Sequence, residues 1–340
     1  MVKVSIILPV YNAADTVEKT IISVLNQTLK DIELIIIDDG SNIETKNVIR
    51  SFRDRRIKLI EQENSGVSNA RNSGIRSAKG NYLFFIDSDD WIEKKLLEDM
   101  LIFLEKHSLD LVTARIVENN STKLQEKVKV YRNFFTSDEA KIAQCEKVLF
   151  LQSSLAKLFV RKKIVENNIY FPVDMDLGED LYFTYLYMDN VEKIGFVSTS
   201  SYIVENINGE SLSKKYINNL EASLIEQGKL KAHFEAKHLQ YAKEYYKTHV
   251  DFNFYQTTLF VSNLYKLGVD KNYMQKRKEL RKFLDSHKEW WKITNPERYP
   301  KNLKDKIMYK IISSNNVTLI LAFFMFKERL RRMKFSFGKK

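Results

Sequence analysis

Asp87-Ser88-Asp89 is the sharpest chemical feature of this 340-residue sequence, a pair of carboxylates closing an apolar run over residues 82–86. In an extended chain, residues two apart point to the same side, so both acids can face one site. Such a pair holds a hard divalent cation, Mg²⁺ or Mn²⁺, when phosphate oxygens complete the shell. The cation then offsets charge that gathers on a departing diphosphate. An apolar strand ahead of the pair would fix it on a rigid element. Asp-x-Asp is also common in turns, so the tripeptide alone leaves the chemistry open. Three other polar clusters follow structured runs: Tyr11-Asn12, Asp38-Asp39 and Asn64-Ser65-Gly66.

The elements that must position these clusters alternate in type. Residues 4–8 are an apolar run stopped by Pro9, residues 34–37 a second, 57–60 a third and 82–86 a fourth, all reading as buried strands. Between them, residues 16–27 put Val17, Ile21, Val24 and Leu25 on one helical face, with Asp15 and Glu18 spaced as a capping box. Polar helices are expected over 44–55 and 68–78, the latter closed by Gly80. This rhythm predicts an α/β fold, a mostly parallel sheet with helices on both faces. Ligands of such sheets bind beyond the carboxyl ends of the strands, where all four clusters sit. Past residue 100 the pattern predicts a strand over 109–116, a helix over 146–160, and a helical region from about 220. No Gly-x-Gly-x-x-Gly or phosphate-loop motif occurs, which argues against dehydrogenases and P-loop enzymes.

Charge divides the chain. Residues 221–340 hold 26 Lys+Arg against 12 Asp+Glu, whereas residues 1–220 hold 29 against 32. A basic region of that kind suits an acidic surface. The apolar run over 317–326 is half the ~20 residues needed to span a bilayer. Followed by Lys327, Arg329, Arg331, Arg332 and Lys334, it reads equally as a helix lying on anionic lipid or as a packing element of a homo-oligomer. No signal peptide is recognised at the start and the lone Cys145 forms no intrachain disulfide, so the expected place is cytoplasmic, peripheral at the inner face of the plasma membrane.

The order and spacing of several motifs resemble family 2 of the inverting glycosyltransferases, bacterial type. They are SIILPVYN at 5–12, SVLNQTLKDIELIIIDDGS at 23–41, NSGVSNARNSGI at 64–75 and AKGNYLFFIDSDDWI at 78–92. The likeness continues more loosely through AKLF at 156–159, LGEDLYF at 177–183 and GESLS at 209–213. It implies a GT-A fold, Rossmann-like, over a nucleotide-sugar-binding catalytic domain at 1–220. A basic helical domain at 221–340 would meet acceptor, membrane or another subunit.

The same resemblance implies roles. Pro9, Val10, Tyr11 and Asn12 would wrap the nucleobase, and Asp39 would accept a hydrogen bond from it, leaving Asp38 to support the turn. Arg71 would neutralise donor phosphate. Asp89 would bind Mn²⁺ or Mg²⁺, Asp87 would contact metal or ribose, and Ser88 lies between them in the donor site. Asp180 would be the general base that deprotonates an acceptor hydroxyl, a single displacement that inverts the anomeric centre. Glu179-Asp180 also suits an ordinary helix start. The Gln/Arg-x-x-Arg-Trp motif of processive members is missing, so one transfer per encounter is expected, and none of the five histidines sits in a matching motif. The implied donor is a UDP-sugar, and the acceptor a glycan, lipid-linked or protein-linked, in surface polysaccharide or glycoconjugate synthesis. A nucleotidyltransferase and a non-catalytic donor-binding homologue are the alternatives. Nucleic acid is not an expected partner, because the strand-end carboxylates would repel it.

Overall fold

The computed structural model describes residues 1–120, 123–126, 134–136, 153–205, 216–237, 251–266, 269–293, 299–300 and 302–337. Cys145, His238, His249, the motif at 209–213 and the first part of the helix expected over 146–160 lie outside them. The chain divides into two compact units, Met1–Gly209 and Glu210–Lys340, where the charge pattern had suggested 220.

In the first unit, strands β1 (Val4–Val10), β2 (Ile32–Asp39), β3 (Ile57–Gln62) and β4 (Tyr82–Phe85) alternate with helices α1 (Val17–Leu25), α2 (Ile43–Ser51) and α3 (Val67–Ser77). They pair in parallel in the order β3-β2-β1-β4. The chain continues through β5 (Trp91–Ile92), α4 (Leu96–His107), β6 (Leu111–Asn120), β7 (Lys123–Glu126), β8 (Phe134–Thr136), β9 (Lys157–Val160), α5 (Arg161–Glu166), α6 (Glu179–Met188) and β10 (Ile194–Glu205). The sheet runs on from β4 as β9-β6-β10-β5, with β7 on β6 and β8 on β10. Strand β9 is antiparallel to both its neighbours, so the sheet is mixed beyond β4. An antiparallel neighbour needs no crossover helix, and the β-α-β rhythm of the first ninety residues carried no sign of it.

Both faces of the parallel half are covered, which is why β1 and β2 read as nearly unbroken apolar runs. Ile6, Leu8, Leu34, Ile36 and Phe84 pack with Val17, Ile21 and Val24 of α1 and with Leu97 and Met100 of α4. On the other face α3 approaches so closely that a Cβ at Gly74 would collide with Ile7. Phe85 there meets Phe159 of β9, Phe171 and Phe183 of α6 edge to face, at 5.2–5.7 Å between ring centres.

Four local expectations are corrected. Thr16, not Asp15, is the N-cap of α1, and no side chain caps it. A turn in which the Ala13 carbonyl accepts from the N–H groups of Thr16 and Val17 carries the chain into the helix one residue later than the capping-box spacing implies. Helix α2 stops at Ser51, where Phe52 is extended. Gly80 does not cap α3; a Cβ there would lie 2.7 Å from the Ser5 nitrogen, so the glycine permits a close crossing of two backbones. Residues 157–160 form strand β9 rather than the end of a helix.

The second unit is helical in its described parts: α7 (Leu220–Lys237), α8 (Phe252–Asn263), α9 (Tyr273–Ser286), α10 (Lys288–Trp291), α11 (Leu303–Ser313) and α12 (Val317–Phe337). Phe260 of α8 stacks on Phe283 of α9 at 3.8 Å. Helix α12 buries Val317, Ile320, Leu321 and Phe324 and leaves Leu319, Met325, Phe326 and Leu330 exposed.

Candidate active site

The carboxyl ends of β1, β2 and β4 carry the residues singled out above. Pro9 and Val10 end β1, and Asn12 follows in the left-handed region at φ 48°, a conformation that asparagine tolerates. The Asn12 side-chain oxygen accepts from the Asn42 backbone at 2.8 Å, and its own N–H donates to Ser41. Asp38 accepts from the Ser41 backbone at 2.9 Å, which makes it the turn-supporting acid. With both loops tied together, Tyr11 is left with its ring half in solvent, open as an aromatic face.

Asp39 is buried and organises the loop after β3. Its carboxylate accepts from Gln62 Nε2 at 2.8 Å and from the backbone N–H groups of Ser65 and Gly66 at 3.0 and 2.9 Å. Gly66 is the N-cap of α3, where a negative charge is favoured. One turn further along that helix comes Arg71. Asp39 therefore sets the helix that delivers the guanidinium.

Arg71 is 3% exposed and holds three carboxylates from two other parts of the chain. Its Nη2 lies 3.0 Å from Asp87 Oδ1, and its Nη1 lies 3.2 Å from Glu179 Oε1 and 3.0 Å from Asp180 Oδ1. Burial works against the guanidinium charge, but Asp180, Asp87 and Glu179 together raise its pKa further above the usual range. Burial and the Asp180 charge push Glu179 up, against Arg71. Glu179 and Asp180 occupy the first turn of α6 behind left-handed Gly178. Asp180 also accepts from Ser154 Oγ at 2.7 Å.

Asp87, Ser88 and Asp89 lie in a turn, not in the extended strand that the spacing argument assumed. Strand β4 ends at Phe85, and Asp90 N–H bonds to the Asp87 carbonyl at 3.1 Å. Thr20 of α1 anchors the turn by donating to the carbonyls of Ser88 and Asp90. The turn brings in a third acid: one oxygen each of Asp87, Asp89 and Asp90 lies within 4.8 Å of the others. Burial raises all three carboxyls, Asp90 to about 8, and the Asp87 charge adds to the rise at Asp89 and Asp90. A divalent cation would relieve that crowding. Both Asp90 oxygens are engaged, one by Tyr202 Oη at 2.6 Å and one by the Glu205 N–H at 3.1 Å. Asp87 and Asp89 are the freer pair.

Against known proteins, residues 5–163 match the profile of the family described as Glycosyl transferase family 2. A poly(ribitol-phosphate) β-N-acetylglucosaminyltransferase, TarP of Staphylococcus aureus, is 32% identical over 237 residues, 66% of this chain and 71% of that one. The chain belongs to glycosyl transferase family 2. Its family relatives include glycosyltransferase GlyA of Streptococcus pneumoniae, 29% identical over 66% of this chain, of which the chain spans 33%. The uncharacterized glycosyltransferase EpsJ of Bacillus subtilis is 30% identical over 59% of this chain and 60% of its own length. The crystal structure of S. aureus TarS 1–349 in complex with UDP-GlcNAc superposes with a TM-score of 0.60 at 18% identity, covering 96% of this chain and 92% of that one. The fold is thus of the GT-A type.

Within this family 2 chain, the structure gathers Arg71, Asp87 and Asp180, and sets Pro9, Val10, Tyr11, Asn12 and Asp39 along the same strand ends. Sequence reasoning missed Ser154, which carries no motif, and Asp90, which stood beside the pair but out of step with a two-residue repeat. Glu179 was read with Asp180 as an acidic pair ahead of a helix, and its ion pair with Arg71 was not foreseen.

Proposed function

We propose that the chain transfers a sugar from a UDP-sugar to an acceptor hydroxyl, with inversion, during bacterial surface polysaccharide or glycoconjugate synthesis. The observation that carries this is Arg71, which joins the would-be base Asp180 to Asp87 of the acidic turn. Asp87 and Asp89 would hold Mn²⁺ or Mg²⁺, which when bound supplies positive charge against the departing diphosphate. Asp90, bonded through Tyr202 and Glu205, keeps the turn in place. The exposed Tyr11 ring gives uracil a stacking face. Asp39 Oδ1 already accepts from Gln62 and from the Ser65 N–H and hydroxyl, whereas Oδ2 accepts only from the Gly66 N–H and has room for the uracil N–H. Ser88, between the two ligands, borders the donor. Asp180 takes the proton of the acceptor hydroxyl as it attacks the anomeric carbon opposite the diphosphate.

A panel of UDP-sugars, assayed for UDP release with Mn²⁺ and with EDTA, tests the reading. One donor should be consumed only with metal, and Asp89→Ala should abolish the release. Full activity of Asp89→Ala, or of the unaltered chain in EDTA, overturns it. The nucleotidyltransferase reading predicts pyrophosphate instead, and a non-catalytic homologue predicts heat protection by UDP-sugars without turnover.

A second observation bears on place. On α11, Leu303 is 74% exposed beside Ile307, Lys304, Lys306 and Lys310; on α12, Phe326 is 60% exposed beside Met325, Leu330 and Arg329. Apolar side chains set among cations match the boundary between headgroups and acyl chains of an anionic bilayer. Among the described residues no helix is long and apolar enough to cross a membrane. We place the enzyme in the cytoplasm, peripheral at the inner face of the plasma membrane. Basic faces on two copies would repel, which favours lipid over a homo-oligomer.

A further inference from the structure

Asp180 engages the protein through only one of its two side-chain oxygens. Oδ1 accepts from Arg71 Nη1 at 3.0 Å and from Ser154 Oγ at 2.7 Å, and Oδ2 accepts no hydrogen bond among the described residues. The hydroxyl that holds Oδ1 is itself firmly held. Ser154 is fully buried, in a stretch without regular structure just before β9. Leu155 makes a single parallel bridge with Phe85 at the end of β4, and its carbonyl accepts from the buried Lys157 amine at 3.3 Å. The Ala156 carbonyl accepts twice from β6, from the Ala114 N–H at 2.8 Å and the Thr113 hydroxyl at 3.1 Å. Ala156 itself is in the left-handed region at φ 55°, a strained conformation for alanine that persists where the surroundings over-determine it. Those bonds to two strands do so. A strained and strapped turn thus presents one buried hydroxyl to one carboxylate oxygen.

We propose that Ser154 is a positioning residue for transfer, fixing the Asp180 carboxylate through Oδ1 so that Oδ2 is the atom that takes the acceptor's proton. The proposal rests on the reading of Asp180 as the base. In that step the acceptor oxygen bonds the anomeric carbon while its proton passes to Oδ2. The bond from that carbon to the diphosphate breaks, and its electron pair leaves with UDP. Arg71 holds the same Oδ1, but it is shared with Asp87 and Glu179, and a donor phosphate would draw on it. Ser154 is buried out of reach of that competition. With Oδ1 held, the carboxylate does not turn about its own bond, and Oδ2 keeps one direction.

Ser154→Cys keeps nearly the same size but donates weakly, and Ser154→Ala removes the donor. Both should lower kcat by about 10- to 100-fold, with the UDP dissociation constant and the acceptor KM nearly unchanged. Ser154→Thr keeps the hydroxyl and should retain most of the turnover. In an Asp180→Asn background, Ser154→Ala should remove little more, because it acts through that acid. Full kcat in Ser154→Cys, or UDP affinity lost by the same factor as kcat, overturns the proposal. An equal loss in all three variants, hydroxyl kept or not, assigns Ser154 to packing and overturns it too. If Ser154→Ala does not fold, Ser154→Cys decides through the same two measurements. Asp180→Asn with full turnover removes the base itself and this proposal with it. Asp180→Asn inactive beside a fully active Ser154→Cys leaves the base standing and ends the proposal alone.

Discussion

The Arg71 guanidinium stands 3.0 Å from Asp180 Oδ1 while its other terminal nitrogen stands 3.0 Å from Asp87 Oδ1. One buried cation thus spans the candidate base and the candidate metal site, which lie 93 positions apart in sequence. Such a link fixes their separation without a direct contact. On the proposed reading, a donor phosphate would have to compete with these carboxylates for this arginine.

Removing the cation should therefore cost stability as well as turnover. Arg71→Met leaves Asp87, Glu179 and Asp180 facing one another and should lower unfolding free energy by about 3 kcal/mol, read by urea denaturation. Adding Asp87→Asn to it should restore part of that loss, because the pair is coupled. Strict additivity of the two substitutions would show that the ion pair contributes nothing.

Asp180→Asn keeps the shape and loses the proton acceptor. Turnover should fall by about 10²–10⁴-fold, with the UDP dissociation constant nearly unchanged by calorimetry. An equal loss in binding and turnover would assign Asp180 a structural role.

Tyr11 offers a clean test of the donor site because its ring packs little. Tyr11→Ala should weaken UDP binding by about 1–3 kcal/mol, the usual worth of an aromatic stack on a base, and leave the melting temperature in place. Unaltered UDP affinity would remove Tyr11 from the donor site.

Lys157 gives a pH dependence whose sign is fixed. Its folded pKa of about 7 lies below the ordinary 10.5, so the unfolded chain binds more protons between those values. Stability from this group is therefore lowest below pH 7 and rises toward pH 10.5. Lys157→Met should be the more stable protein at neutral pH, by about 1 kcal/mol or more, with the gap closing in alkali. Denaturation at pH 6, 8 and 10 decides it.

The membrane reading is best tested by substitution, since α12 buries Ile320, Leu321 and Phe324 and its removal would open the second unit. Met325→Ser with Phe326→Ser should reduce binding to vesicles rich in anionic lipid and spare donor turnover. Salt should weaken binding of the unaltered chain, as charges are screened over about 10 Å at 0.1 M. A change of mass in solution, with vesicle binding intact, would assign the stripe to assembly.

The sequence by itself determined the parallel strands and the positions of the acids. Runs such as residues 34–37 must be buried on both faces, and the spacing of polar residues after them puts Tyr11, Asp39 and Asp87 at one edge. Local patterns report burial and period, and those survive in any context. Tertiary structure alone decided what the acids do to one another. The anchoring of the acidic turn by Thr20 and Tyr202, the antiparallel entry of β9, and the meeting of Arg71 and Ser154 with Asp180 depend on distances between residues far apart in the chain. Hydrogen bonds and buried charge act over a few ångströms of space, and no periodicity along the sequence encodes which distant side chains will stand that close.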